Sequence, residues 1–420
     1  MNNLIVNQGR VAAVGDNEIL GDILSAGNDI TRIDLHGRTV LPGFCACNFD
    51  FLDWSYSHEI LDLSLCEKFL DVKNILKAFV KNNTHPLRGW IIGRNLSDTI
   101  NITADDLDDF ITNYPCAIFK SKYAVFNTQA MLATGQEGDF NIDTLEALKI
   151  IPPLNSEDII YLIKTYSTQL AALGFTEVWL TPENYQRDIF FEQAYDLLPF
   201  RVRLNYKFDD NDALNNFLAE GIRTGDGRPL CKAGAIIISG DNNPYEQALM
   251  IENAHNSGMQ IICDNNKTCF KVLERANRHK KIRTRDLIFN PDENIYDRMK
   301  NFGMGGIVTH EQKNLEPAFQ NGIILSAGYE DINLTRPLKD IANFVENGLT
   351  LAQAINLYTW GGAWNGHNER RRGEISIGSD ADLIILERDP FLIKTNEIGT
   401  IDITMTFCAG ELVYNSGVIM

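Results

Sequence analysis

Val40-Leu41-Pro42-Gly43-Phe44-Cys45-Ala46-Cys47-Asn48-Phe49-Asp50-Phe51 forms a short apolar strand whose end turns polar at Asn48 and Asp50. Side chains alternate along a strand, so Cys45 and Cys47 fall on one face. It is the first of a series of apolar runs: 40–49, 175–180, 201–208, 234–239, 259–263, 286–290, 305–309 and 322–326. Amphipathic helical stretches such as 156–173 and 244–255 separate most of them. Strand-like runs alternating with helical ones are the pattern of βαβ units and a parallel sheet. Eight of them predict an α/β fold with a (β/α)8 TIM barrel.

The two ends of the chain are β-rich. Leu4-Ile5-Val6 and Arg10–Val14 flank a turn at Asn7-Gln8-Gly9, and 381–386, 405–410 and 411–414 alternate or run apolar between turn residues. Residues 1–39 and 371–420 are therefore expected to build one discontinuous small β-sandwich domain, with the barrel over 40–370. The stretch between the first two barrel strands is too long for a plain loop. Residues 52–165, with Trp90-Ile91-Ile92-Gly93 and Cys116-Ala117-Ile118-Phe119, are expected to form an inserted capping subdomain.

The formal charge of −18 argues against nucleic acid as a partner, because phosphate contacts need a basic face. The basic run 275–285 is an isolated exception that suits a solvated helix end. No apolar run approaches the roughly 18 residues of a membrane span. The N-terminus lacks a charged-then-apolar leader pattern, which makes a cytoplasmic location the expectation. The eight cysteines, without a leader, are expected to be reduced and mostly buried. The single residue between Cys45 and Cys47 is short of the spacing of a zinc pair.

Leu41-Pro42-Gly43-Phe44 and the polar strand end that follows resemble the opening of the amidohydrolase superfamily, L-P-G-hydrophobic-I-D-x-H-x-H. Further on, Arg88-Gly89-Trp90-Ile91-Ile92-Gly93 looks like the W-I-x-G segment of the large-insert branch of that superfamily. Phe126–Met131 looks like its H-x-x-x-x-N-S-x-A-L segment, with Asn127 kept and Lys122 at the histidine position. Towards the C-terminus, Leu349–Thr359, Gly373–Gly378, Ser379–Leu386 and Phe407–Tyr414 are similar to L-T-x-x-E-A-L-x-x-Y-T, G-x-L-x-x-G, A-D-L-v-v-L and V-x-x-G-x-x-V-Y. The resemblance spans essentially the whole chain. It implies a metal-dependent hydrolase of non-peptide C–N bonds using zinc or another divalent ion, and it makes a homodimer a family expectation.

That chemistry implies a histidine pair on the first strand, a lysine on the fourth, histidines on the fifth and sixth, and an aspartate on the eighth. In this sequence those positions hold Asn48 and Asp50, Ile236, Asp264, Phe289 and Gly328. Every position departs, so the expectation is a degenerate site with no metal cofactor, on a ligand-binding, non-catalytic homologue or a structural partner subunit. The alternative is an active hydrolase of a small amide or N-acyl substrate with a rebuilt site. Asp50, Asp264 and His310 are the candidate catalytic residues. Asn48, Lys122, Asp241 and Asn290 are candidates for holding a small-molecule ligand, amide-bearing or cationic. No G-x-S-x-G, G-x-x-x-x-G-K-S/T or H-E-x-x-H supports another chemistry.

Overall fold

Pro42 and Gly43 divide the opening stretch between two sheets. The computed structural model describes residues 3–16, 31–82, 86–208, 210–238, 243–263, 267–279, 284–329 and 336–417. The first strands, β1 (Asn3–Asn7) and β2 (Arg10–Gly15), form an antiparallel hairpin. Its turn places Gln8 and Gly9 at φ 49° and 74°. β3 (Thr39–Pro42) ends at the proline, and β4 (Phe44–Ala46) begins beyond Gly43 in a different sheet. Gly43 is needed at that junction because a Cβ there would collide with the Thr176 side chain.

The chain divides into two units, one of Leu52–Leu162 and one of Met1–Phe51 with Ile163–Met420. In the first, β5 (Leu61–Asp62), β6 (Ile91–Arg94), β7 (Cys116–Phe119), β8 (Tyr123–Phe126) and β9 (Asn141–Asp143) make a five-stranded sheet in that order. β5, β6 and β7 run parallel, and β8 and β9 are antiparallel. One face packs Leu63, Ile91, Cys116, Ile118 and Val125 against Val72 and Leu76 of the helix Phe69–Asn82.

In the second unit follow β10 (Phe175–Leu180), β11 (Arg201–Lys207), β12 (Gly227–Arg228), β13 (Cys231–Ile238), β14 (Gln260–Cys263), β15 (Leu287–Phe289), β16 (Gly305–Val308) and β17 (Leu325–Ala327). With β4, and with β12 as an antiparallel side strand of β13, they form a parallel eight-stranded sheet in the order β17-β16-β15-β14-β13-β11-β10-β4. Its two ends meet. The Cys47 N–H donates to Ala327 O at 2.8 Å and the Tyr329 N–H to Asn48 O at 2.7 Å. This is the predicted TIM barrel. The eighth strand lies three residues later than its apolar run begins, because Gly322, at φ 73°, is a turn.

Period-2 alternation fills the barrel axis with Cys45, Cys47, Trp179, Ala235, Ile262, Leu287 and Ile307, flanked by Ile237 and Phe289. Fully burying side chains of this size contributes about 1.5–3 kcal/mol each for the larger ones. The last strands, β18 (Leu383–Leu386), β19 (Ile403–Cys408) and β20 (Glu411–Asn415), form an antiparallel sheet with β3, in the order β20-β19-β18-β3. N- and C-terminal segments thus share one sheet. No helix among the described residues is long and apolar enough to cross a membrane.

Candidate functional site

Parallel strands present all their carboxyl ends on one rim, the rim on which barrel enzymes place their chemistry. Asn48 and Asp50 follow β4, Asn290 follows β15 and His310 follows β16, so the structure gathers these four sequence candidates on that rim. Asp241 and Asp264 lie outside the described residues. Lys122 is exposed in the turn between β7 and β8, within the unit of Leu52–Leu162.

Each rim side chain has a distinct environment. Asn48 adopts φ 126°, a region that L-residues seldom enter. Its Nδ2 donates to Tyr329 O at 2.7 Å, so the side chain belongs to the barrel seam. Asn290, at φ 45°, uses its Oδ1 to accept the Thr309 N–H at 3.1 Å, tying the sixth-strand loop to the seventh. Asp50 is exposed. His310 is half-buried, and its Nδ1 is buried without a hydrogen-bond partner.

Below the rim, three of the positions that the resemblance assigns to metal ligands, on β13, on β15 and after β17, are apolar or cramped. Phe289 borders the axial cluster as the alternation requires. On β13 the structure corrects the register: Ala235 and Ile237 face the axis, while Ile236 is buried outside that cluster. The inward counterpart of the lysine is therefore Ile237. At Gly328 a Cβ would come 2.7 Å from Cys47 O and 2.7 Å from Ile307 Cγ2, leaving no room for an aspartate. Among the described residues no group of three or more His, Cys, Asp and Glu is placed to hold a metal ion. The described residues do not fit the family's ligand set.

Cys45 Sγ and Cys47 Sγ lie 3.4 Å apart in the axis. Burial, followed by the hydrogen bond to Cys47, pushes the Cys45 thiol well above its usual range, so it is neutral and a poor nucleophile at pH 7. One cysteine expectation is overturned. Cys263 and Cys269 are joined by a disulfide across a Cα–Cα distance of 6.4 Å, while Cys45, Cys47, Cys66, Cys116, Cys231 and Cys408 are free and buried.

At the opposite, amino end of the barrel lies a charged network with no sequence forecast. Glu177 accepts from Trp179 Nε1 at 2.9 Å and from Arg372 Nη1 at 2.7 Å. Arg203 stacks 4.8 Å from the Trp179 ring and donates to Gln260 Oε1 and Gly366 O, each at 2.9 Å. Arg201 pairs with Asp382 at 3.0 Å and with Asp380 at 3.3 Å. Burial pushes the Glu177 carboxyl up, but Arg372, the Trp179 N–H and Arg203 outweigh it and hold it below its ordinary value. The only signal for this floor was a glutamate inside the apolar run Phe175-Thr176-Glu177-Val178-Trp179-Leu180.

A family model described as "Amidohydrolase family" matches residues 344–414. YtcJ of Bacillus subtilis (strain 168), named as an amidohydrolase, is 39% identical over 66 residues; the match covers 16% of this chain and 12% of YtcJ. Among solved structures, an uncharacterized metal-dependent hydrolase from Pyrococcus horikoshii OT3 superposes with a TM-score of 0.74 at 18% identity, over 94% of this chain and 95% of that one. An adenosine deaminase from Xanthomonas campestris with bound zinc gives 0.59 at 12% identity, over 97% and 87%. These neighbours correct the expectation of no cofactor, since they point to a metal. The C-terminal segment is thus similar to the amidohydrolase family, and the solved structures show that the whole chain shares the fold of metal-dependent hydrolases.

Proposed function

We propose that the chain is an amidohydrolase-fold relative of metal-dependent C–N hydrolases whose barrel mouth binds a small amide- or amine-bearing molecule without the inherited histidine–lysine ligand set. The observation behind this reading is Asn48. Where the family places a metal-binding histidine, this side chain is committed to Tyr329 O at 2.7 Å and closes the barrel. Ile237 and Phe289, beside the axial cluster, and the crowded Gly328 support the same reading on three further strands. The metal dependence of the structural neighbours keeps a divalent ion within the reading; since the described residues do not make the family's set, no chemical step is assigned to it. Carboxylate oxygens such as those of Asp50 suit a hard cation better than a soft one.

A thermal-shift screen of small amides and amines, with and without added divalent metal, tests the reading. Stabilisation by a compound in wild type that is lost in Asp50→Asn supports it. A screen that shifts neither protein removes it.

A second reading, hydrolysis at a rebuilt mouth, is favoured by His310. A buried ring nitrogen without a partner at a strand end is free to hydrogen-bond a substrate or an attacking water. Turnover of an N-acyl substrate that falls at least about tenfold in His310→Ala would establish it; unchanged turnover in that variant would dismiss it.

A further inference from the structure

The sheet of the Leu52–Leu162 unit has a second face, and a cavity lies against it. Ile91 belongs to the core cluster on one side of β6, and a Cβ on Gly93 would meet Ile118 and Leu63 of the same cluster. Alternation therefore sends Ile92 and Arg94 to the other side. The same alternation on β7 sends Cys116 and Ile118 into the core and Phe119 to the face shared with Ile92 and Arg94. Across from them stands the helix Thr144–Ile150, with Thr144 and Leu148. Between lies a cavity of about 610 Å³, within the usual size of small-molecule sites.

Its place in the topology is telling. β6 and β7 run parallel, and the cavity is lined by the residues that follow their carboxyl ends, Arg94–Asp98 and Phe119–Ser121. In open sheets with parallel strands, ligands bind in the crevice outside those ends.

The charges select the ligand. Both aspartates nearby are already engaged. Asp98 accepts from the Ser121 hydroxyl and backbone N–H, and Asp62 accepts from Asn95 Nδ2 at 3.1 Å and from the Ser64 N–H at 3.0 Å. Lys120 donates to Ile100 O at 2.8 Å and to Tyr123 Oη at 3.4 Å, which occupies two of its three protons. Arg94 is different: its Nε is buried without an acceptor, and Thr144 Oγ1, also on the wall, is buried and unpartnered. A guanidinium whose Nε lacks an acceptor is suited to a carboxylate, which it can bind through Nε and Nη together. Ile60, Ile92, Leu96, Phe119 and Leu148 supply an apolar part of the wall, beside the polar Asn95 and Ser97.

We propose that the inserted unit carries a binding site of its own for an organic monocarboxylate with an apolar tail, its carboxylate on Arg94 and Thr144 and its tail along Ile92, Phe119 and Leu148. This site is independent of the barrel-mouth reading.

Calorimetric titration of the full chain with octanoate, and with octan-1-ol, octylamine and inorganic phosphate as comparisons, tests it. The expected result is one octanoate bound per chain, with Kd raised at least tenfold in Arg94→Met, partly recovered in Arg94→Lys, and raised in Leu148→Asp. Arg94 Nε has no acceptor and the guanidinium acts on Asp62 through its charge, so Arg94→Met should melt close to wild type, which separates lost binding from lost folding. No octanoate binding at millimolar concentration, equal binding of octan-1-ol, binding of phosphate alone, or an Arg94→Met Kd within twofold of wild type would each overturn the proposal.

Discussion

Asn48 and Tyr329 hold the barrel seam by a reciprocal pair: Asn48 Nδ2 donates to Tyr329 O at 2.7 Å, and the Tyr329 N–H donates to Asn48 O at 2.7 Å. Loss of the side-chain bond exposes an unsatisfied carbonyl, and φ 126° disfavours any side chain. Asn48→Ala should lower unfolding free energy by about 1–3 kcal/mol, and Asn48→Gly by less because glycine tolerates that φ. Urea unfolding of the two variants reads the order; an Asn48→Ala chain as stable as wild type would contradict it.

Restoring the family's ligands should damage the fold before it restores a site. Gly328→Asp must push back Cys47 O and Ile307. Overpacking at a backbone contact is expected to cost about 1–3 kcal/mol or more, and Gly328→Ala should show most of the same loss. A Gly328→Asp chain with an unchanged denaturation midpoint would mean that the barrel seam is looser than described.

The charged floor under the barrel predicts both a mutational and a pH effect. Removing one member of a buried pair leaves the other charge uncompensated, so Glu177→Gln should cost about 3–5 kcal/mol. Glu177 and Asp380 have carboxyls held below their ordinary values; in each, burial acts upward and is outweighed by neighbouring guanidinium groups, Arg372 for Glu177 and Arg201 for Asp380. Their stabilisation is present above the unfolded-state carboxylate pKa and is lost as pH falls through the depressed folded value.

His367 titrates before them. Burial and the nearby Arg203 and Arg285 lower its pKa to about 4. A histidine depressed in the folded state binds its proton more readily when unfolded, so stability should fall as pH drops from about 6.5 towards 4. Melting temperatures across that window should decline in wild type and flatten in His367→Gln; parallel curves would dismiss the assignment.

The cysteine pairing is checked by mass. Denatured without reductant, the chain should take up alkylating agent at six thiols, and at eight after reduction. Eight in both conditions would restore the expectation of a fully reduced chain.

The barrel was legible because its signal is repeated: each apolar run bounded by turn residues gave one parallel strand, and only the ends slipped. Val40–Phe49 looked like one strand, yet Pro42 and Gly43 split it, since proline ends the ladder of β3 and Gly43 must pass close to Thr176. Asn48, Asp50, Asn290 and His310 were placed on one rim by strand position alone. What the residues are bonded to was not legible. Nothing local says that Asn48 meets Tyr329 across 281 positions, or that Ile237 rather than Ile236 faces the axis, because one residue of register reverses the face. Arg201, Arg203, Arg372, Asp380 and Asp382 are likewise far apart in sequence or look like ordinary surface charges.

The most direct test of a ligand-binding mouth is the melting temperature of wild type, Asp50→Asn and His310→Ala across one panel of small amides and amines, with divalent metal present. At least one compound is expected to raise the wild-type melting temperature by several degrees, roughly the shift given by ligand at a hundred times its Kd in a chain of this size, and to fail to do so in Asp50→Asn. A panel with no wild-type shift, or a shift equal in Asp50→Asn, would contradict it.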